Sequence, residues 1–316
     1  MDLPGVTVII PTYNRCSDLL EALDSVCRQT HPDIEVIVIN DASQDNTIDC
    51  VQQAFPAVNL VNLEHNVGAA AARNIGIQIS SKRYLAFLDD DDRWPEDYLQ
   101  AHVRALEAYP EADLSFCDYD LLEENGEITK PDLRPTEDYD DPLEHLLTEF
   151  FIHSMSLVVT RQNRQEKVFL HEPYRIAHDY DFYFRLLLAG GRSIIYLPDC
   201  VVQRQRRPGS LVSHLDQVEQ EEMDCLERLL PAALPPDRQR RARVYRQLFF
   251  AASRLASPSG FWTGMKSLLQ SFLTSPFWFA QIVLCKLKFR LIRPRGVPEF
   301  RTFVVHRPDG GPTGRS

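Results

Sequence analysis

The sequence predicts an α/β fold: a mostly parallel central sheet in the first half and a helical extension at the C-terminal end. Three observations predict it. Short β-branched runs alternate with stretches of helical spacing between residues 6 and 88, the order that a parallel sheet with covering helices produces. Polar residues with chemical potential follow the ends of those runs, where open α/β sheets bind ligands. The last third turns basic and apolar.

Residues 6–11 (VTVIIP) are a near-continuous β-branched run, the pattern of a strand buried on both faces, which Pro11 is expected to stop. Ser17 or Asp18 is the expected cap of a helix carrying Leu19, Leu20, Leu23, Val26 and Cys27 at helical spacing. Residues 35–40 (EVIVIN) give a second strand and 59–63 a short third. Residues 68–79 give a helix that opens at a glycine. Residues 84–88 give a fourth strand, which runs into Asp89, Asp90, Asp91 and Asp92. Trp94-Pro95-Glu96 reads as the start of the next helix. Further on, 114–119, 156–160 and 194–197 read as strands, 123–142 as a polar acidic loop or hairpin, and 143–150 and 179–190 as helices. Residues 216–256 read as two helical stretches split by Pro231 and Pro235-Pro236.

Composition narrows the class. A chain of 316 residues, 44% hydrophobic and 25% charged, can bury a substantial core. Its seven cysteines have no C-x-x-C spacing, so neither a disulfide framework, a zinc ribbon nor a thioredoxin-like site is supported, and a reducing compartment is expected. No basic segment precedes the first apolar run, and no 18 consecutive residues are apolar, so neither a signal peptide nor a membrane span is expected. Charge is uneven. Residues 1–237 hold 43 acidic against 19 basic residues, and residues 238–295 hold 12 basic residues and no acidic one. The acidic body argues against nucleic acid as a partner. The basic segment, with its Leu, Phe and Trp, suits an anionic membrane surface or an acidic partner.

Four constellations carry chemistry. Asp89–Asp92 crowd four carboxylates at the end of a buried strand; a hard divalent cation, Mg²⁺ or Mn²⁺, would relieve their repulsion, although acids also suit a helix N-terminus. Pro11, Thr12, Tyr13, Asn14 and Arg15 follow the first strand and Asp41 the second. Asp41 suits a base or ribose and Tyr13 a stacked base, but such residues are ordinary in turns. Asn66 and Gly68 lead into a helix that holds Arg73, a cation for a diphosphate or for a surface acid. His178-Asp179 opens a helix, where Asp179 is either a general base or a cap. No G-x-G-x-x-G or G-x-x-x-x-G-K-[ST] is present, which disfavours a dinucleotide site and a P-loop.

In order and spacing, VTVIIPTYNR, Asn40-Asp41-Ala42-Ser43-Gln44-Asp45, the run from Asn66 through Arg73-Asn74 to Gly76, Phe87–Asp92 with Trp94-Pro95-Glu96, and His178-Asp179-Tyr180-Asp181 resemble the motifs of the family 2 glycosyltransferases. The resemblance covers about residues 5–210. It implies a GT-A fold whose nucleotide-binding half is Rossmann-like. It also implies an inverting transfer from a nucleotide sugar, a uridine diphosphate sugar first, to a glycan or lipid-linked acceptor in bacterial cell-surface polysaccharide or lipopolysaccharide synthesis.

By the same resemblance Asp41 would bind the base, helped by Thr12 and Tyr13. Asp89 and Asp91 would reach the ribose and the diphosphate-bound Mn²⁺ or Mg²⁺, and Asp179 would be the base. Pro11, Asn14, Arg15, Asn66, Gly68, Arg73 and Asp90 would complete the donor site. Two positions depart from the family pattern: His178 stands where a glutamate is usual, and Arg207 stands where a late histidine is usual and would contact the diphosphate. The implied division is a catalytic unit over 1–215 (donor half 1–118, acceptor half 119–215), an extension over 216–300 and a flexible tail over 301–316. A sugar nucleotidyltransferase and a non-catalytic GT-A-like binding protein are the alternatives. A cytoplasmic location is expected, with residues 267–285 either lying on the inner face of the membrane as two amphipathic helices that meet at Pro276, or packing on protein or a second subunit.

Overall fold

The computed structural model describes residues 3–123, 125–130, 157–160, 173–189, 194–205, 215–255 and 261–283. Several expectations fall outside them: the helix at 143–150, Arg207, most of the acceptor half and the tail at 301–316.

The first half alternates β1 (Val6–Thr12), α1 (Cys16–Cys27), β2 (Ile34–Asn40), α2 (Thr47–Ala54), β3 (Asn59–Asn62), α3 (Ala69–Ile79), β4 (Tyr84–Phe87) and α4 (Tyr98–Ala108). Then come β5 (Leu114–Leu122), β6 (Ile128–Thr129), β7 (Leu157–Thr160), α5 (His178–Ala189) and β8 (Ile194–Gln205). The helices α6 (Leu215–Ala233), α7 (Pro236–Leu255) and α8 (Phe261–Thr274) follow. The sheet has eight strands in the order β3-β2-β1-β4-β7-β5-β6, with β8 on β5. Pairs within β1–β4 are parallel, as is β5–β8, while β7 runs antiparallel to both β4 and β5. The parallel half therefore ends at β4, and β7 joins it to the second half.

Strand β1 is buried along its whole length, and its alternation sorts the core into two layers. Val6, Val8 and Ile10 pack with Leu19, Leu23 and Val26 of α1 and Leu99, Val103 and Leu106 of α4. Ile9 faces the other layer, with Phe87, with Tyr180 and Phe184 of α5, and with Leu226, Leu229 and Leu230 of α6. Helix α6 thus shares the core of β1, β4 and α5. Gly76 seats α3 on β1: a Cβ there would lie 2.5 Å from Ile9 Cγ2.

The boundaries differ from expectation for physical reasons. Pro11 does not stop β1. It pairs with Ile39, and its missing N–H faces the side where β4 pairing has already ended at Ile9, while Thr12 O accepts from Asp41 N at 2.9 Å. Neither Ser17 nor Asp18 caps α1. The helix starts at Cys16, whose N–H donates to Asp45 Oδ2 at 3.2 Å, so the cap comes from the loop after β2. Helix α4 starts at Tyr98, not Trp94, because Arg93 and Gln203 exchange two backbone hydrogen bonds of 2.9 Å and the Pro95 and Glu96 carbonyls accept from Gln29 Nε2 and Thr30 N. Strand β8 runs on to Gln205, well past residue 197. Pro231 lies inside α6, two residues from its end, so it removes one helical bond without breaking the helix.

The basic segment is less uncompensated than its composition suggests. Arg243 pairs with Glu227 at 2.5 Å, Arg246 with Glu222, and Arg254 with Asp216 and Glu219, all across to α6. Arg241 lies 5.3 Å over the Trp278 ring. Residues 276–283 form a further helical segment after a break at Ser275, as Pro276 leads one to expect.

Gly76→Ala should destabilise the fold by about 1–3 kcal/mol, the usual cost of forcing a methyl into a packed core. A urea midpoint lowered with an unchanged m-value would show it; an unchanged midpoint would mean that α3 can lift off Ile9 freely.

Candidate active site

The loops at the ends of β1, β2 and β4, the N-termini of α3 and α5, and the end of β8 converge on one cluster. The β2 loop is laced to its neighbours. Asp41 Oδ1 and Oδ2 accept from Val67 N and Gly68 N at 2.7 and 2.9 Å, and Asn66 Nδ2 donates to Asp41 O at 3.2 Å. Asn14 N donates to Ser43 Oγ at 2.9 Å, and Gln44 N donates to Asn14 Oδ1 at 2.7 Å. Gly68 has φ 86 and ψ 160, a conformation that a side chain would strain even though open space surrounds it. Asp41, Asn66 and Gly68 are thus brought together as expected, and both Asp41 oxygens already hold the loop into α3. Tyr13 is 45% exposed.

The acidic run solves its own repulsion in large part. Thr12 Oγ1 donates to Asp90 Oδ2 at 2.8 Å, and Arg15 Nη1 donates to Asp90 Oδ1 at 2.9 Å and to Asp91 Oδ2 at 2.8 Å. Arg73, 4% exposed, donates through Nη2 to Asp89 Oδ1 and lies with Nη1 2.9 Å from His178 Nε2. The four carboxyls consequently differ. Burial raises the Asp89 pKa, but Arg73, then Arg204, outweighs it, and Asp89 stays below the usual carboxylate range. Burial pushes Asp90 up to about 6 despite Arg15. Burial, then the charges of Asp89 and Asp91, holds Asp92 well above its ordinary value. Its Oδ1 accepts from Gln205 N at 3.2 Å while Oδ2 is buried without a partner. The run therefore does not demand a cation by repulsion alone, as its composition implied; arginines and retained protons do much of the work.

His178 lies where the family resemblance leads one to expect a glutamate, and its surroundings suit a neutral ring. Arg73 can only donate, so Nε2 must accept and the ring proton sits on Nδ1. Burial and the Arg73 charge lower the His178 pKa to about 3, so the ring is neutral. Beside it, Asp179 lies in the first turn of α5, and its Oδ1 accepts from Tyr180 N at 2.7 Å. Burial raises the Asp179 pKa to about 7, against the Tyr180 N–H and Arg73 and assisted by Asp89. Helix α6 braces this segment. Glu221 Oε2 accepts from Ile176 N and Ala177 N at 2.7 and 3.0 Å, Asp224 accepts from the Tyr174 hydroxyl at 2.5 Å, and Arg228 pairs with the fully buried Asp181.

One contributor escaped the sequence reading. Arg204, on β8, acts on Asp92 and Asp89 and lies 5.6 Å over the Tyr119 ring. Nothing local separates it from Arg206 and Arg207; only the strand's continuation past residue 197 brings it to the site.

The donor set fits a hard divalent cation. Asp89 and Asp91 are the more exposed pair of the run, with side chains 29% and 16% accessible. Carboxylate oxygens are the donors that Mg²⁺ and Mn²⁺ prefer, and such ions are usually held by one or two of them with substrate phosphates completing the shell.

The family model "Glycosyl transferase family 2" matches residues 7–166. A putative teichuronic acid biosynthesis glycosyltransferase, TuaG of Bacillus subtilis, is 36% identical over 149 residues, which is 46% of this chain and 59% of TuaG. The amylovoran biosynthesis glycosyltransferase AmsB of Erwinia amylovora is 28% identical over 189 residues, 57% of this chain and 62% of AmsB. The chain spans less than two thirds of the length of the curated relatives it matches. Among solved structures, S. aureus TarS 1-349 in complex with UDP-GlcNAc superposes with a TM-score of 0.66 at 19% identity, over 85% of this chain and 81% of that one. The mannosyltransferase PcManGT from Pyrobaculum calidifontis, in complex with GDP-Man and Mn2+, superposes with a TM-score of 0.63 at 21% identity, over 92% and 82%.

Arg73→Met should cost about 1–3 kcal/mol of stability. This is less than the usual cost of breaking a fully buried pair, because Asp89 keeps partial access to water. It should also raise the His178 pKa, by removing the cation beside the ring. Histidine NMR titration reads the second effect; a His178 pKa no higher than in the wild type would show that Arg73 does not govern the ring.

Proposed function

The chain belongs to glycosyl transferase family 2 and has the GT-A fold, and from that premise we propose that it is a divalent-metal-dependent, inverting glycosyltransferase. It would move a sugar from a nucleoside diphosphate sugar, a uridine diphosphate sugar first, to a hydroxyl of a glycan or lipid-linked acceptor in bacterial surface polysaccharide synthesis. The observation that carries this reading is Asp179: a carboxyl with its pKa raised to about 7, beside the Arg73–Asp89 pair at the mouth of the acidic run. A base poised near the working pH combines a useful ionised fraction with real proton affinity. TuaG and AmsB bear polysaccharide biosynthesis in their names, and TarS and PcManGT hold nucleotide sugars, the latter with Mn²⁺.

In this mechanism the β1, β2 and β3–α3 loops hold the nucleotide, with Asp41 and Tyr13 at the base and Arg73, Arg15 and Arg204 near the diphosphate. Asp89 and Asp91 would hold the metal, which supplies charge neutralisation for the departing diphosphate. Tyr180 N–H occupies Asp179 Oδ1, leaving Oδ2 to take the proton from the acceptor hydroxyl as it attacks the anomeric carbon. A single displacement inverts that centre. A nucleotidyltransferase would need a basic triphosphate-cradling loop after β1, whereas Arg15 is the one cation in the PTYNR stretch that follows the strand's apolar run.

The test is nucleoside diphosphate release from a sugar-nucleotide panel with acceptor, with Mn²⁺ and with excess chelator. Turnover should require the metal, and an α-linked donor should give a β-linked product. Asp179→Asn should lower kcat by roughly 10²- to 10⁴-fold. The acidic limb of kcat/KM should rise with pH through about 7 in the wild type and vanish in the variant. The stability effect has the opposite sense: a folded pKa above the unfolded one gives stability that is lost as pH rises toward 7. The variant should therefore be at least as stable as the wild type above pH 7. Retained configuration, or full activity of Asp179→Asn, would reject the mechanism.

A second feature favours attachment to a membrane surface. Among the described residues no helix is long and apolar enough to cross a membrane, but Trp262, Met265, Leu269, Phe272, Leu273 and Phe277 are exposed, Trp262 by 82% and Leu273 by 70%. Such a row on α8 and the segment after it suits the boundary of a bilayer more than water. Since several arginines of this segment are already paired with α6, insertion rather than charge would dominate. The full-length chain should float with anionic liposomes, resist high salt, and lose flotation in a Trp262→Ser, Leu273→Ser, Phe277→Ser variant. If the wild type does not float and sediments as a dimer that the same variant dissociates, the row is a subunit interface.

A further inference from the structure

A second cluster of ligating side chains lies among α4, β5 and β8, apart from the acidic run. His102, Cys117 and Cys200 are 0%, 0% and 6% exposed, and one ligand atom from each lies within 4.8 Å of the other two. Both cysteines are free thiols. His102 Nδ1 is 2.7 Å from Ser115 Oγ, while Nε2 is buried with no hydrogen-bond partner other than the Cys200 thiol. Tyr98 lies one helical turn before His102, with ring centroids 4.4 Å apart, and its buried hydroxyl has no partner. The β5–β8 register explains the meeting. Cys117 opposes Leu197 and Asp118 opposes Val201, so residues 198–200 are extra on β8, and Cys200 is one of them.

A buried polar atom without a partner is a standing cost to the fold. A Cys117–Cys200 disulfide would leave both His102 Nε2 and the Tyr98 hydroxyl unsatisfied; a cation accepting the imidazole lone pair would not. Two sulfurs and an imidazole select a soft or borderline ion over Mg²⁺ or Ca²⁺.

We propose that His102 Nε2, Cys117 Sγ and Cys200 Sγ bind a structural zinc ion, with the Tyr98 hydroxyl closing the fourth side. On binding, the two thiols lose their protons to solvent. His102 binds as the neutral ring, its Nδ1–H donating to Ser115 Oγ, the outer-shell bond that fixes the tautomer. The ion ties the β8 bulge to α4 and β5, three residues before Gln203, Arg204 and Gln205 meet Arg93 and the acidic run. It is a positioning element, separate from the donor's metal.

Elemental analysis of the full-length protein, purified under reducing conditions without chelator, should find one zinc per chain. Cobalt in its place should give sulfur-to-metal charge-transfer absorption. Cys117→Ser and Cys200→Ser should lose the zinc, whereas Cys27→Ser, at an exposed thiol of α1, and Asp91→Asn should keep it; loss in Asp91→Asn would assign the zinc to the donor site and overturn the proposal. A wild-type chain that holds no zinc and gives no such cobalt spectrum overturns it, even if the serine variants fail to fold. So does a Cys117–Cys200 disulfide in the purified protein, or zinc retained by Cys200→Ser.

Discussion

The guanidinium of Arg73 is the constraint on which the site depends. It is buried on α3 and reaches two elements at once, Asp89 at the end of β4 and His178 at the start of α5. A buried cation is tolerable only when it is paired and hydrogen-bonded, so the helix, the strand end and the second half of the chain must come together for any one of them to be stable. The same cation keeps Asp89 ionised and His178 neutral. The chain can therefore carry a histidine where an acid is usual: a third anion beside Asp89 and Asp179 is replaced by a neutral acceptor. The pKa of Asp179 then follows mainly from burial, with little opposing charge left over from Arg73.

The acidic run shows how adjacent residues of one type acquire different chemistry. Asp89 and Asp91 are ion-paired and partly accessible, while Asp90 and Asp92 are buried and pushed upward. The alternation follows the backbone turn, which aims every second carboxyl outward. The outward pair keeps partial access to solvent. The inward pair ties the run to Thr12 on β1 and to Gln205 on β8.

The candidate base is held from behind by α6. Glu221 takes two backbone N–H groups just ahead of α5, and Asp181 and Arg228 lock the two helices. The family model ends at residue 166, ahead of Asp179 and of its brace. The family model thus covers β1 to β7, while Asp179 and its brace lie in the part beyond it.

The sequence by itself determined the parallel half and its chemistry. The β-branched runs of β1 and β2 tolerate only burial on two faces, Gly68 permits a backbone angle that other residues strain against, and Thr12, Asp41, Arg73 and Asp89–Asp91 sit at strand ends or helix starts, where local pattern fixes position. Helix starts depart from local expectation where the cap comes from elsewhere, as with Asp45 at Cys16, because a cap from a distant loop leaves no mark beside the helix. Only the tertiary structure decided that Pro11 continues its strand, that Arg204 reaches the acidic run and that Cys117 meets Cys200 and His102. Each of these depends on which strand lies alongside and where its pairing ends or bulges, and such non-local registers are set by packing across the sheet, not by the residues next in the chain.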